Sequence, residues 1–228
     1  MRAVATLTLI GAMSAGAHAG ITAGQIDDFQ DGTIQGWHNP VDGTFENLGG
    51  GILGAGDRYL HVRTNGNPQG PGSTPAVFNL EQWTGDYLSA GITSITMDIA
   101  NFTSPTLPES DLNLRLVIFA DGGSIFTTTA TVDLSADGIW RSVTFDVSEA
   151  GVTMVDGGFS YAETMDNVTR LLIRHQDGEP TGIGGTPAFP GAEYGLDNIR
   201  AVPAPGALAL LAMTGLAGAR RRRAALAG

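Results

Sequence analysis

Apolar side chains recur at every second position through much of the chain. Leu112, Leu114 and Leu116 alternate with Asn113 and Arg115, and Val143, Phe145 and Val147 alternate with Thr144 and Asp146. A period of two puts the two sets on opposite faces of an extended chain, so each run reads as a strand with one buried and one wet face. Runs rich in Val, Ile, Thr and Phe predict strands at Tyr59 to Arg63, Ala76 to Leu80, Ile92 to Phe102, Leu112 to Phe119, Ser124 to Leu134, Ile139 to Val147, Val168 to His175 and Tyr194 to Val202. Gly, Pro, Asp and Asn clusters separate them, and Gly49-Gly50-Gly51, Gly122-Gly123 and Gly184-Gly185 read as turns. No interior segment carries a sustained helical stripe, which argues against a parallel α/β fold. The pattern predicts an all-β fold, an antiparallel two-sheet β-sandwich of the jelly-roll kind. Asn65 to Pro75 and Gln176 to Glu193 are longer than hairpins need and are candidate binding loops.

The two ends depart from this pattern. Arg2, the apolar run Ala3 to Ala15 and the small-x-small site Ala17-His18-Ala19 make residues 1–19 a signal peptide, and hence the protein an exported one. Residues 202–228 begin with Pro203-Ala204-Pro205, continue through apolar Gly206 to Ala219 and stop on Arg220, Arg221, Arg222 and Arg223. As a helix the apolar stretch spans about 21 Å, short of a hydrocarbon core of about 30 Å, so it reads as a weak transmembrane anchor with its arginines held cytoplasmic. One domain is left between, residues 20–201.

Proline motif, short apolar helix and terminal arginines together resemble the PEP-CTERM sorting signal, with Ala204 standing where that family usually has glutamate. The resemblance implies Pro203, Pro205 and Arg220 to Arg223 as the sorting signal and an exosortase-type processing enzyme as partner. It also implies delivery to the cell surface or extracellular matrix after transient anchoring in the membrane.

Charge narrows the partners. All 12 basic residues are arginine, five of them in the two ends, and all 23 acids lie between Asp27 and Asp197. The domain therefore sets seven arginines against 23 carboxylates, a net charge of −16, which argues against nucleic acid or anionic lipid and favours divalent cations. Cysteine is absent, so thiol catalysis and disulfide stapling are excluded.

Catalytic patterns are missing. Gly122-Gly123-Ser124-Ile125-Phe126 lacks the closing glycine of a nucleophile elbow, and His38, His61 and His175 are too scattered for a zinc motif. The glutamates show no paired pattern of a sandwich glycosidase. The chain reads as no enzyme.

Ile26-Asp27-Asp28-Phe29 and Gly195-Leu196-Asp197-Asn198-Ile199 would lie on neighbouring first and last strands, which gathers carboxylates from both ends of the domain. Asp28, Asp57 and Asp197 are candidate ligands of a structural Ca2+, an ion that favours such oxygens. The alternative is that they are ordinary turn and edge aspartates.

Several segments, among them Trp83-Thr84-Gly85-Asp86-Tyr87, Trp140-Arg141-Ser142-Val143-Thr144-Phe145 and Gly195-Leu196-Asp197-Asn198-Ile199, resemble bacterial laminin B (domain IV) proteins. That resemblance implies a jelly roll akin to carbohydrate-binding modules. A pyranose packs its apolar face on an exposed ring. Trp37 and Trp140 read as core, whereas Trp83 and Tyr161, in loop-like contexts, are the candidate ligand-binding rings. The resulting expectation is an exported, non-enzymatic module that recognises polysaccharide or another matrix component. The rivals are a structural surface protein with no discrete ligand and a glycoside-active sandwich enzyme.

Overall fold

The computed structural model describes residues 20–38, 43–65, 74–107, 110–182 and 191–205. The expected signal helix and the apolar tail with its four arginines lie outside the described residues. Among those described, no helix is long and apolar enough to cross a membrane.

Among the described residues, thirteen strands form two antiparallel sheets. In chain order they are β1 Ile26–Asp27, β2 Trp37–His38, β3 Gly43–Gly51, β4 Gly54–Thr64, β5 Ala76–Asn79, β6 Ile92–Phe102 and β7 Leu112–Ala120. Then follow β8 Ile125–Thr128, β9 Val132–Leu134, β10 Arg141–Asp146, β11 Val152–Asp156, β12 Val168–His175 and β13 Ala192–Pro203. The six-stranded sheet runs β10-β6-β13-β4-β3 with β1 beside the end of β13, and the seven-stranded sheet runs β11-β8-β7-β12-β5-β2 with β9 beside β7.

Alternation decides which face each side chain takes. Leu60, Val62, Ile95, Met97, Ile99, Tyr194 and Leu196 point inward from the six-stranded sheet. They meet Leu112, Leu114, Leu116, Ile118, Leu171 and Ile173 of the other, in one continuous buried core. The expected pairing of the chain's ends is present: Ile26 stands opposite Arg200 and Asp27 opposite Ile199.

Three expectations need correction. Gly49-Gly50-Gly51 is not a turn but the end of β3, paired with β4 up to Gly51 opposite Gly54, with a register shift at the glycines that Gly50 absorbs at a φ of 101°. Ser124 to Leu134 is two strands, β8 and β9, both pairing with β7. The domain does not stop at residue 201, because Pro203 is buried opposite Ile92 and the Ala204 N–H donates to the Gly91 carbonyl at 2.9 Å. Proline is tolerated there as the last residue of a strand.

The described α-helix is a short one, α1 Tyr161–Met165. Ser160 caps it: its hydroxyl accepts from the Glu163 N–H at 3.3 Å, and the Glu163 carboxylate accepts from the Ser160 N–H at 2.8 Å.

Candidate functional site

The solvent-side face of the six-stranded sheet is built by the residues that alternate with the core. On β4 these are Tyr59, His61 and Arg63, and on β13 Glu193 and Gly195. Register sets Gly195 between His61 and Ala100, at the centre of the face. Having no side chain, Gly195 leaves a trough that aromatic rings fill. A β-carbon there would lie 2.7 Å from Trp140 Cη2 and 2.8 Å from Tyr59 Cδ2. Tyr59 meets Trp140 edge-on at 5.2 Å between ring centroids, and Phe102 stands 5.9 Å from each. Trp140 was expected in the core. It precedes the edge strand β10 and lies half-buried on the outer face instead, because Ser142, two residues on, also faces outward opposite Asp98.

Polar groups rim this platform. Arg63 donates to Glu193 Oε2 at 3.1 Å and to the Ser104 and Thr106 hydroxyls at 3.3 and 2.5 Å. His61 shares a 3.1 Å hydrogen bond with Glu193 Oε1, and Glu46 stands 3.7 Å from its other ring nitrogen. Burial, then the charges of Glu193 and Glu46, raise the Tyr59 pKa, so its hydroxyl stays protonated at neutral pH.

The outer face of the seven-stranded sheet is different in character. Val117, Phe119, Ile125, Leu172 and Ala76 make a second apolar cluster there. Arg115 and Arg174, both buried, tie residues 176–182 across it. Arg115 donates to the Gly178 carbonyl at 2.7 Å, and Arg174 to the Thr181 carbonyl at 2.6 Å. Arg170 lies 3.5 Å from the Phe119 ring centroid, and His38 stacks on Phe78 at 5.4 Å.

Trp83 is not an exposed ring. It has no accessible surface, and its indole N–H donates to Asp27 Oδ2 at 2.6 Å. Trp37, in the core as expected, donates to the same oxygen at 2.7 Å, and Gln82 at 3.0 Å. Asp27 is thus a structural hub, and burial raises its pKa against the pull of these donors. Tyr161 is half-buried on α1 and gives its hydroxyl to the Val147 carbonyl at 2.9 Å, so its polar handle is already used. A cleft of about 370 Å³, lined in part by Thr128, Thr129, Thr131, Thr144 and Asp146, opens between the sheets beside β10.

Of the three carboxylates expected to meet, Asp57 and Asp197 do so around Gly51. The position of a β-carbon on Gly51 is 2.6 Å from Asp57 Oδ2 and 3.3 Å from Asp197 Oδ2. Asp197 has no accessible surface, its Oδ1 accepts from the Asn198 N–H at 2.7 Å, and its Oδ2 has no partner. Burial first, then the charges of Asp57, Asp98 and Asp28, push its pKa up to about 7 against the Asn198 hydrogen bond. Asp28 is the weakest of these neighbours, and its Oδ1 accepts from the Gln30 N–H at 3.2 Å. Asp98, which pattern reading missed, faces the cluster because β6 pairs Asp98 with Asp197. Among the described residues no three acidic or histidine side chains are already gathered as a metal site. Of the sorting residues, Pro203 is a strand residue, Pro205 is exposed beyond it, and the four arginines lie outside the described residues.

No family model matches the sequence, and no curated protein matches it. The PEP-CTERM and laminin B resemblances therefore rest on their short motifs alone. Solved structures do match. An exo-β-agarase aligns with 80% of this chain at 14% identity and a TM-score of 0.52, and an agarase with 81% at 12% identity and 0.51. This chain spans 25% of each of those chains. A carbohydrate-binding module specific for non-crystalline cellulose aligns over 81% of this chain and 99% of its own, at 15% identity and a TM-score of 0.50. At such identities the likeness is one of fold: this chain shares its two-sheet antiparallel β-sandwich with that carbohydrate-binding module.

Proposed function

We propose that the chain is a non-catalytic polysaccharide-binding module, exported and held at the cell surface or in the matrix. The observation that carries the reading is the cluster of Trp140, Tyr59 and Phe102 over Gly195, on the solvent side of a sheet and bordered by Arg63, Glu193 and His61. A pyranose presents an apolar face to such rings and hydroxyls to such a rim, the combination that fixes both affinity and orientation. Export and sorting rest on residues 1–19 and on the tail from Pro203 onward. Affinity electrophoresis of the purified protein through gels containing matrix polysaccharides is the test. Retardation that is lost in Trp140→Ala supports the reading, and migration unchanged in every gel overturns it in favour of a structural protein without a ligand. Release of reducing ends from a retained polysaccharide would move the reading to glycoside chemistry, with Glu46 and Glu193 beside His61 as the carboxylates to examine.

A structural calcium ion is the second part of the proposal, favoured by the orphaned Asp197 Oδ2 and the cradle at Gly51. Asp57 and Asp197 would hold the ion, which would supply the charge that keeps Asp197 ionised at neutral pH and would brace β13 against the β3–β4 hairpin. A melting temperature indifferent to chelator and to added Ca2+ removes this part.

A further inference from the structure

The seven arginines of the domain are not spread evenly: Arg115, Arg170 and Arg174 share the outer face of the seven-stranded sheet. Register explains the grouping, since Arg174 stands opposite Arg115, and Arg170 is on the same face of β12 opposite Phe119. Arg115 and Arg174 spend their donors on the carbonyls of residues 176–182 and of Thr128. Arg170 does not. Among the described residues its guanidinium has no hydrogen-bond partner and no carboxylate within ion-pair distance; the Nε atoms of all three arginines are buried and unsatisfied, but only Arg115 and Arg174 have their terminal N–H groups bonded. Burial alone lowers its pKa, with no acidic neighbour to offset it, whereas Arg115 feels the charges of Glu179 and Asp133. What sets Arg170 apart is that no protein acceptor among the described residues takes its terminal N–H groups, and such donors call for a partner.

Its geometry narrows the choice. The guanidinium carbon lies 3.5 Å from the Phe119 ring centroid, a cation–π contact that holds the group against the ring, and its terminal N–H groups are the donors left for an oxyanion. Apolar surface is available at the same end of the sheet. Leu80, just past β5, is 50% exposed, and Phe159, packed on Gly122 just past β7, is 42% exposed. A charged fork beside exposed apolar side chains matches a sugar ring that bears an acidic substituent.

We propose that Arg170, stacked on Phe119, is the anion-binding element of a second subsite, on the sheet face opposite the Trp140 platform, and that it takes the carboxylate or sulfate of an acidic polysaccharide. The inference rests on the polysaccharide reading for the kind of chain bound, but on different residues. Affinity electrophoresis through gels containing polygalacturonate, dextran sulfate or neutral dextran tests it, with Arg170→Gln and Arg170→Lys compared against the parent protein and thermal melts recorded for each. The expected result is retardation by at least one of the two polyanions that weakens tenfold or more in Arg170→Gln. Arg170→Lys should recover little, because an ammonium keeps the charge and loses the planar fork. Polygalacturonate alone assigns the carboxylate, and dextran sulfate alone the sulfate. A parent protein that neither polyanion retards overturns the subsite, as does a folded Arg170→Gln protein that binds a polyanion like the parent. Retention by a neutral polysaccharide that Trp140→Ala abolishes reports separately on the other face, so the two proposals fail independently.

Discussion

Gly195→Ala tests whether the aromatic platform is the chemistry of the outer face or incidental to it. The added carbon would sit 2.7 Å from Trp140 Cη2 and 2.8 Å from Tyr59 Cδ2, closer than such contacts tolerate, so a ring must move. Tyr59 is 8% exposed and hemmed by Phe102 and His61. Trp140 is half-buried at the start of an edge strand, so it is the ring that yields. Overpacking of this kind costs about 1–3 kcal/mol. Alanine in an extended strand returns about 0.4–1 kcal/mol by restricting the unfolded chain, so the net loss is about 0–2.6 kcal/mol. For a domain of this size that lowers the melting temperature by up to roughly 10 °C. Tryptophan emission gives an independent readout, because Trp37 and Trp83 have no accessible surface and only Trp140 is free to change its exposure. The expected outcome is a modest fall in melting temperature, a red shift in emission and weakened polysaccharide retention. A variant that melts like the parent, with unshifted emission and undiminished retention, would refute the account of Gly195 as the seat of the platform.

Asp27→Ala strands the indole N–H groups of Trp37 and Trp83, each at about 1–3 kcal/mol, and urea unfolding should show a loss of about 2–6 kcal/mol; Asp27→Asn, which keeps an acceptor, should lose less. Asp197, raised from 3.8 to about 7, binds its proton more tightly in the folded than in the unfolded chain. Its contribution to stability is therefore present below pH 4 and is lost as pH rises toward 7. In chelator, the urea midpoint of the parent relative to Asp197→Asn should fall across that window, and a constant difference would exclude the linkage. Ser160→Ala removes the cap of α1 and should cost about 0.5–2 kcal/mol by the same assay, without altering retention on any polysaccharide.

The sheets were legible because a buried face enforces a period of two. Leu112, Leu114 and Leu116 on β7 and Phe145 on β10 all point inward as their alternation requires. The pairing of Ile26–Asp27 with the last strand was legible too, from acidic residues at both ends of a fold whose termini meet. What escaped was of two kinds. β3 ends on glycines, which carry no pattern and read as a turn, although backbone pairing with β4 holds them extended. Trp83 read as an exposed loop residue because sequence shows its neighbours and not its partner, a carboxylate 56 positions away. The platform at Gly195 escaped for the same reason: Tyr59, Phe102, Trp140 and Gly195 come from four separate segments, and only the strand register makes them adjacent. The same holds for the arginines opposite, where Arg115 and Arg174 meet across two strands.

The position of β13 has a mechanical consequence. It runs between β6 and β4, bonded on both sides, and its C-terminal residue Pro203 leads directly toward the tail. A pull from the tail, with the domain gripped at its outer face, acts along this strand. Bonds to β6 between Glu193 and Pro203, to β4 between Ala192 and Leu196 and to β1 at Ile199 and Arg200 are then loaded side by side as shear and must give together; they cannot be peeled open one at a time. The strand that positions Gly195 under the rings is thus also the one through which the domain would bear tension applied at its C-terminal side.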